Sequence, residues 1–511
     1  MSDAVIPFHT LGAEERVHTK YTDRLDRLRR SFASGKTKSV KWRIQQLKAM
    51  RRFLEDHRGA FKQAMKKDLN KNPMEADLFE VEFVINEIRG ALQEIHEWVK
   101  PEPISRNALS MLDTLYMWNE PYGVCLVMGA WNYPVMLTLS PGVGALAAGN
   151  AVVFKPSDLS PETAALFEKM SAYMDPDATL VIPGGIPESS ELLKEKFDHI
   201  FYTGSINGGK IVHAAAQRYL TPIVLELGGK CPVYIDSDVD LEVATKRLLW
   251  GKFVNAGQTC VGPDHVFVPE KIYEEFIDVS KRVVKQFYGD DPKKSPDFGR
   301  IVSSRHAKRL QNLLQGSQAV FGGDVDVETC YVSPTLLRDV AISDPIMAEE
   351  IFGPILPVIK VRDLSEAIEM INARDKPLTA YVFSRDRTVI DGFIERTSSG
   401  SVCANDVLVM LTIDSVPFGG VGPSGMGRYH GKHSFDCFSN KKPVLERDFN
   451  PVGEYLGKFR YPPQSSLGIE IFRQLMWKRP NPFNFVMSSA PYLIGSVAGI
   501  GATLVYQMTM S

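Results

Sequence analysis

The sequence has no paired cysteine spacing. Its six cysteines, at 125, 231, 260, 330, 403 and 437, are scattered, which argues against a disulfide framework or a zinc site and for a reducing compartment. No metal site is expected. Neither charge sign is in excess: the net charge of −2 leaves no basic footprint for nucleic acid. No internal repeat or low-complexity tract stands out, and the Gly-rich segment Phe201–Lys210 is not a complete GxGxxG. A signal peptide is not expected, because Met1–Thr10 is short and runs straight into charged helical sequence. The C-terminal end lacks charge altogether, with no charged side chain after Arg479.

What remains is an ordinary globular composition at a length, 511 residues, that calls for two to four domains. Residues 12–99 read as three amphipathic helices, with apolar residues at three- and four-residue spacing around Leu25, Leu47 and Val84. Pro101 and Pro103 punctuate the end of this block. From Tyr122 short apolar runs alternate with helical segments. Val124–Met128, Ala151–Phe154, Thr179–Ile182, His199–Tyr202 and Ile223–Glu226 read as buried strands, with helices around 134–148, 161–173, 188–196 and 208–218. Such alternation predicts an α/β fold with a helix-covered parallel sheet that binds ligands at the carboxyl ends of its strands. A second α/β block runs from Pro232 to about Pro423, with strands at Val233–Ile235, His265–Val268, Ile355–Ile359, Thr379–Phe383 and Ser401–Cys403. The Gly-rich run Phe418–Gly427 reads as irregular backbone.

Two fixed points carry chemistry. Phe253-Val-Asn-Ala-Gly-Gln-Thr-Cys260 ends on a cysteine, and Leu225-Glu-Leu-Gly-Gly229 holds a carboxylate. A thiol supplies a strong nucleophile once ionised, and a carboxylate supplies a base for water. Taken alone, Cys260 also reads as an inert buried cysteine. Of two Gly-rich segments, Pro141–Gly149 precedes a strand and is read as a packing feature, whereas Phe201–Lys210 follows one and opens a helix whose free N–H groups suit a pyrophosphate. Lys155 and Asp158 follow another strand, where a cation and a carboxylate could grip ribose hydroxyls or form a surface turn.

Trp131-Asn-Tyr-Pro134, Phe154-Lys-Pro-Ser157, Phe201-Tyr-Thr-Gly-Ser205, Leu225–Lys230, Gly257-Gln-Thr-Cys260, Glu349-Glu-Ile-Phe-Gly-Pro354 and Pro417-Phe-Gly-Gly420 stand in one order over roughly residues 15 to 445. In that order and spacing they resemble the aldehyde dehydrogenase superfamily. Tyr429-His-Gly-Lys-His433 and the apolar tail look like the class 3 branch, especially its membrane-bound fatty aldehyde dehydrogenases. The resemblance implies a Rossmann-like cofactor domain plus a second α/β catalytic domain, a small bridging and oligomerisation element, and a C-terminal transmembrane helix. It divides the chain into N-terminal helices on the cofactor domain (1–99), a dinucleotide-binding domain (122–229), a catalytic domain (230–425), a bridging element (100–121 and 426–446), a linker with an amphipathic helix (447–482) and a membrane anchor (483–511).

The implied function is NAD(P)-dependent oxidation of medium- to long-chain aliphatic aldehydes, by a homodimer using NAD, with NADP possible. Cys260 attacks the aldehyde, Asn132 and the Cys260 N–H hold the oxyanion, and Glu226 activates the water that releases the acid. Lys155 would hold the adenine-side ribose, Gly204 and Ser205 the pyrophosphate side, and Glu350 the nicotinamide ribose, with Phe352 beside the ring. Three positions depart from the pattern: Ala256 where relatives often carry cysteine, Asp158 for Glu, and Ser205 for Asn. Two other functions stay in view. A cysteine hydrolase would need a histidine on the thiol, and His265 is near in sequence; a non-catalytic membrane scaffold would not need Cys260, Glu226 and Asn132 together.

The tail predicts location. Pro491–Met510 is charge-free and as a helix spans roughly 30 Å, about a bilayer core. Lys478 and Arg479 precede it and nothing charged follows, so the enzyme is expected to be tail-anchored with its body in the cytosol, and the resemblance favours the endoplasmic reticulum over the mitochondrial outer membrane.

Overall fold

The computed structural model describes residues 17–107 and 110–476, which separate into two compact units: residues 17–100 with 119–441, and residues 101–107 and 110–118 with 442–476. The first unit opens with helices α1 (Thr22–Ala33) and α2 (Val40–Leu69), then a short helix Pro73–Ala76, a π-helical turn Asp77–Val81 and α3 (Glu82–Trp98). The expected three helices are therefore more finely divided. Asn70, in the left-handed region at φ 50°, ends α2, and the π turn re-aims the chain before α3.

Strands β1 (Val124–Met128), β2 (Ala151–Lys155), β3 (Thr179–Val181), β4 (His199–Thr203) and β5 (Ile223–Glu226) form a parallel sheet in the order β5-β4-β1-β2-β3. Its strands are apolar on both faces because helices cover both, among them the almost wholly buried α4 (Met136–Ala148) and the later α5 (Ile206–Gln217). The chain reverses direction across the sheet between β1 and β4, which is where such sheets open a ligand crevice.

The second sheet holds β6 (Pro232–Ile235), β7 (His265–Pro269), β8 (Ala319–Phe321), β9 (Thr335–Leu337), β10 (Ile355–Val361), β11 (Thr379–Phe383) and β12 (Ser401–Ala404), ordered β8-β9-β10-β7-β6-β11-β12, with helix α6 (Leu241–Phe253) between β6 and β7. Only β8 runs antiparallel. The Gly-rich run departs from the expected irregular backbone. Its Gly425–Met426 segment, β13, pairs antiparallel with Glu226 and Leu225, adding an edge strand beside β5. Gly425 sits at φ 141°, and a Cβ there would lie 2.2 Å from the Leu225 carbonyl oxygen, so glycine permits the approach.

The second unit carries most of a three-stranded sheet made from Glu102–Pro103, Thr114–Pro121 and Ser439–Glu446. Arg447 clamps Asp113 there with two bonds of 2.7 and 2.6 Å. Helices Pro451–Gly457 and Ser466–Met476 follow. Among the described residues no helix is long and apolar enough to cross a membrane, and the expected anchor at 483–511 lies outside them.

Candidate active site

Cys260 is delivered by a turn that few sequences tolerate. Directly after α6, Asn255 (φ 52°), Ala256 (φ 51°) and Gly257 (φ 74°) are all left-handed. Two non-glycine residues in that region cost energy, and the surroundings hold them there. Asn255 donates its backbone N–H to Glu75 Oε2 (3.1 Å) and its side-chain amide to the carbonyls of Asn132 (2.8 Å) and Gln258 (3.1 Å). Gln258 donates to the Asn255 and Arg300 carbonyls (3.0 and 2.9 Å) and accepts from the Val302 N–H (2.9 Å). At Gly257 a Cβ would lie 2.3 Å from the Gly353 carbonyl oxygen, so no side chain fits.

The resulting thiol is half-buried and free. Burial, then the nearby Glu350 and Glu226 carboxyls, push its pKa up to about 12. The Asn132 amide donates to the Gln258 carbonyl (3.0 Å), two residues before Cys260, and the Tyr133 hydroxyl pairs with Thr259 Oγ1 (2.8 Å). Glu226, at the carboxyl end of β5, is buried with both carboxyl oxygens lacking a hydrogen-bond partner. Burial raises its pKa well above the usual carboxylate range, and Arg428 opposes that rise. The point where a Gly419 Cβ would sit is 3.0 Å from both Glu226 Oε1 and Arg428 Cδ. Arg428 is held there by the carbonyls of Gly400 (2.7 Å) and Gly419. Nothing in the sequence pattern singles this arginine out, since its place depends on β13 pairing with β5.

The other expected residues ring the ends of β2, β4 and β5. Lys155 is the last residue of β2 rather than the residue after it, and its buried ammonium donates to the carbonyls of Pro156 (2.9 Å) and Gly184. The burial lowers its pKa. Gly204 donates to the Glu226 carbonyl (3.0 Å), and Ser205 Oγ caps α5 by accepting from the Gly208 N–H (3.1 Å). The Tyr202 hydroxyl fills the space over both glycines, where a Cβ would meet it at 2.3 and 2.0 Å. Glu350 lies over Gly228, whose Cβ would be 2.1 Å from Glu350 Oε2. Burial lifts the Glu350 carboxyl to about 8, against a bond from the Gly229 N–H. Phe352 is left-handed at φ 48° and meets Trp131 edge-on at 5.3 Å, and His306 also packs against the indole, at 5.5 Å.

His265, the candidate base of a cysteine hydrolase, does not face the thiol. It is buried in β7 beside Asp264 (3.3 Å), and burial lowers its pKa to about 4. Asp264 is committed to Lys230 (2.6 Å) and the Ile351 N–H (2.9 Å).

A pocket leads to Cys260 and Thr259 between Phe79, Phe83, Tyr133, Met136, Leu137, Trp250, Val254, Leu408, Leu411, Phe418 and Tyr429. Besides Thr259, its polar lining is Thr412 and the buried His430, which lies 3.4 Å from Glu87. Phe79 reaches the pocket because the π turn places it there, a contact no periodicity predicts.

The profile of the Aldehyde dehydrogenase family matches residues 19–444. Aldehyde dehydrogenase family 3 member A2 of Mus musculus is 47% identical over 456 residues, covering 89% of this chain and 94% of that protein. A Rattus norvegicus protein named "Aldehyde dehydrogenase, dimeric NADP-preferring" is 48% identical over 443 residues, covering 86% of this chain and 97% of its own. Among solved structures, Staphylococcus aureus AldH in a substrate-bound state superposes with a TM-score of 0.83 at 37% identity, covering 87% of this chain and 100% of that one.

Proposed function

The chain belongs to the aldehyde dehydrogenase family and is an enzyme of its class 3 branch, and from that premise we propose that it oxidises medium- to long-chain aliphatic aldehydes to carboxylic acids, with NAD preferred over NADP. The observation that carries the substrate class is the pocket above Cys260, whose walls are almost entirely aliphatic and aromatic. An alkyl chain gains about 0.8 kcal/mol for each CH₂ it buries there. A sugar or amino aldehyde would leave its polar groups unpaired.

The residues divide the work. The Cys260 thiolate adds to the aldehyde carbon, forming the C–S bond as the carbonyl oxygen takes the electron pair. The Asn132 amide has two hydrogens; one is on Gln258, and the other, with the Cys260 N–H, serves the oxyanion. The chemistry a nicotinamide dinucleotide supplies when bound is acceptance of a hydride. Glu226 takes a proton from the water whose oxygen bonds to the thioester carbon, the C–S bond breaks with its electron pair returning to the Cys260 sulfur, and the carboxylic acid is released. The crevice fits such a cofactor. The Lys155 ammonium has three hydrogens and two carbonyl partners, so one remains for a ribose hydroxyl, and Glu350 stands over Gly228 as the acceptor for the other ribose. Asp158 beside Gly185 would repel a 2′-phosphate, which supports NAD even though the rat relative carries "NADP-preferring" in its name.

A panel of aldehydes from short to long chains, each with NAD and NADP, tests this. kcat/KM should rise with chain length, by up to roughly fourfold for each methylene while the chain stays in the pocket, and should favour NAD. A flat or falling profile would sink the substrate class, and an NADP preference the reading of Asp158.

The uncharged segment 491–510 supports a tail anchor in the endoplasmic reticulum membrane with the catalytic body cytosolic, and the rat relative's description as dimeric supports a homodimer. The full chain should pellet with membranes and be released by detergent. A chain ending at Met476, which keeps the Arg447–Asp113 clamp, should stay in the high-speed supernatant and retain short-aldehyde activity. Detergent-free full-length protein in the supernatant would remove the anchor.

A further inference from the structure

Beneath the Trp131–Pro134 turn lies an ion pair that no step above uses. Lys71, the second residue after α2, is 1% exposed. Its ammonium donates to Glu80 Oε1 (2.5 Å) and to the Asn132 carbonyl oxygen (2.9 Å), and stands 4.1 Å over the Tyr133 ring. Glu80 comes from the π turn, and its other oxygen accepts the N–H groups of Val135 (2.9 Å) and Met136 (3.0 Å), where α4 begins. The two side chains thus grip the backbone on both sides of Tyr133 and Pro134. Asn255, from the cysteine loop, donates to the same Asn132 carbonyl (2.8 Å).

Stability alone is a poor reason for this arrangement. Charges of this kind are expensive to bury, and apolar replacements of a buried pair are often neutral or stabilising. What the pair supplies is directional: an ammonium and an amide on one carbonyl leave the Asn132 peptide a single orientation. That orientation sets the amide on the Gln258 carbonyl, next to the nucleophile.

We propose that Lys71 and Glu80 are positioning residues for the covalent step, holding the Asn132 peptide so that its side-chain amide meets the oxyanion that forms on attack by Cys260. The inference rests on the reading of Asn132 as the oxyanion donor. Lys71 and Glu80 touch neither aldehyde nor thiol; they act through Asn132, and their effect should fall on formation of the acyl-enzyme rather than on its hydrolysis.

The test is a double-mutant cycle in the full chain, read as the pre-steady-state rate of NADH formation at saturating aldehyde and NAD. Lys71→Met, close in shape and uncharged, should slow that rate by about ten- to a hundredfold with the aldehyde KM changed less than about twofold. Asn132→Ala should slow it by about a hundredfold or more. In the Asn132→Ala background the Lys71 substitution should add less than about a twofold further loss, because the group it positions is gone. Multiplying effects in the double variant, or a Lys71→Met loss confined to the steady-state hydrolytic rate, would overturn the inference. Should Lys71→Met fail to fold, Glu80→Gln enters the same cycle with the same expected coupling and the same overturning results. An Asn132→Ala enzyme with an unchanged pre-steady-state rate would instead refute the oxyanion reading itself, a failure distinct from additivity.

Discussion

Cys260→Ala is expected to lower NADH formation from every aldehyde by at least about 10⁴-fold while leaving cofactor binding intact. Without the sulfur there is no covalent adduct from which a hydride can leave, and Asn132 has no oxyanion to meet. Any ester hydrolysis by the same site should vanish with it, because the same thiol is acylated. Thiol reactivity carries a second expectation. Burial, then Glu350 and Glu226, raise the Cys260 pKa to about 12, so in the cofactor-free enzyme the thiolate fraction should climb with pH throughout the working range. Inactivation by iodoacetamide should then accelerate about tenfold for each pH unit between roughly pH 6 and 9. A rate that is flat over that interval would mean that the resting thiol is already ionised. Dehydrogenase activity surviving in Cys260→Ala would remove the thiol from the mechanism.

How much of this site is legible in the chain depends on the range of the interaction that builds each part. The strands of the first sheet are apolar on both faces, and their period and flanking turns place them within a residue or two; Lys155, thought to follow its strand, ends it instead. Glu226 and Ser205 are placed at strand or helix ends by the same local patterns. The parts that escape are made by distant segments. The left-handed turn at Asn255–Gly257 is held by bonds that its loop donates to the Glu75 carboxylate and to the Asn132 and Arg300 carbonyls, not by its own residues, one of which is alanine. The π turn that sends Phe79 into the pocket and Glu80 beneath Asn132 lies inside a stretch that reads as continuous helix. Arg428 reaches Glu226 only because Gly425 and Met426 pair across β5, in a run whose glycines suggest loop.

Glu226→Gln should separate the two halves of the reaction. The amide cannot take a proton from water, so acyl-enzyme hydrolysis should slow by about 10²- to 10⁴-fold. Attack by Cys260 does not need the carboxylate, so one equivalent of NADH should still form rapidly, followed by a nearly flat phase. Its rate should not fall, since the substitution removes a carboxyl that disfavours the thiolate. Stability gives the same carboxyl an independent test. Its pKa in the folded chain lies above the unfolded value, because burial penalises the charge more than Arg428 relieves it. Below the unfolded pKa both states are protonated and the group is silent; as pH rises through the folded value the buried charge comes to oppose folding in full. Glu226→Gln should therefore raise Tm relative to the parent at neutral and alkaline pH, and the gain should shrink as pH falls towards the unfolded carboxylate value. A gain independent of pH would mean that the carboxyl is not raised by its surroundings. Absence of the NADH burst in a variant that still binds cofactor would show that Glu226 acts before hydrolysis, on the thiol itself.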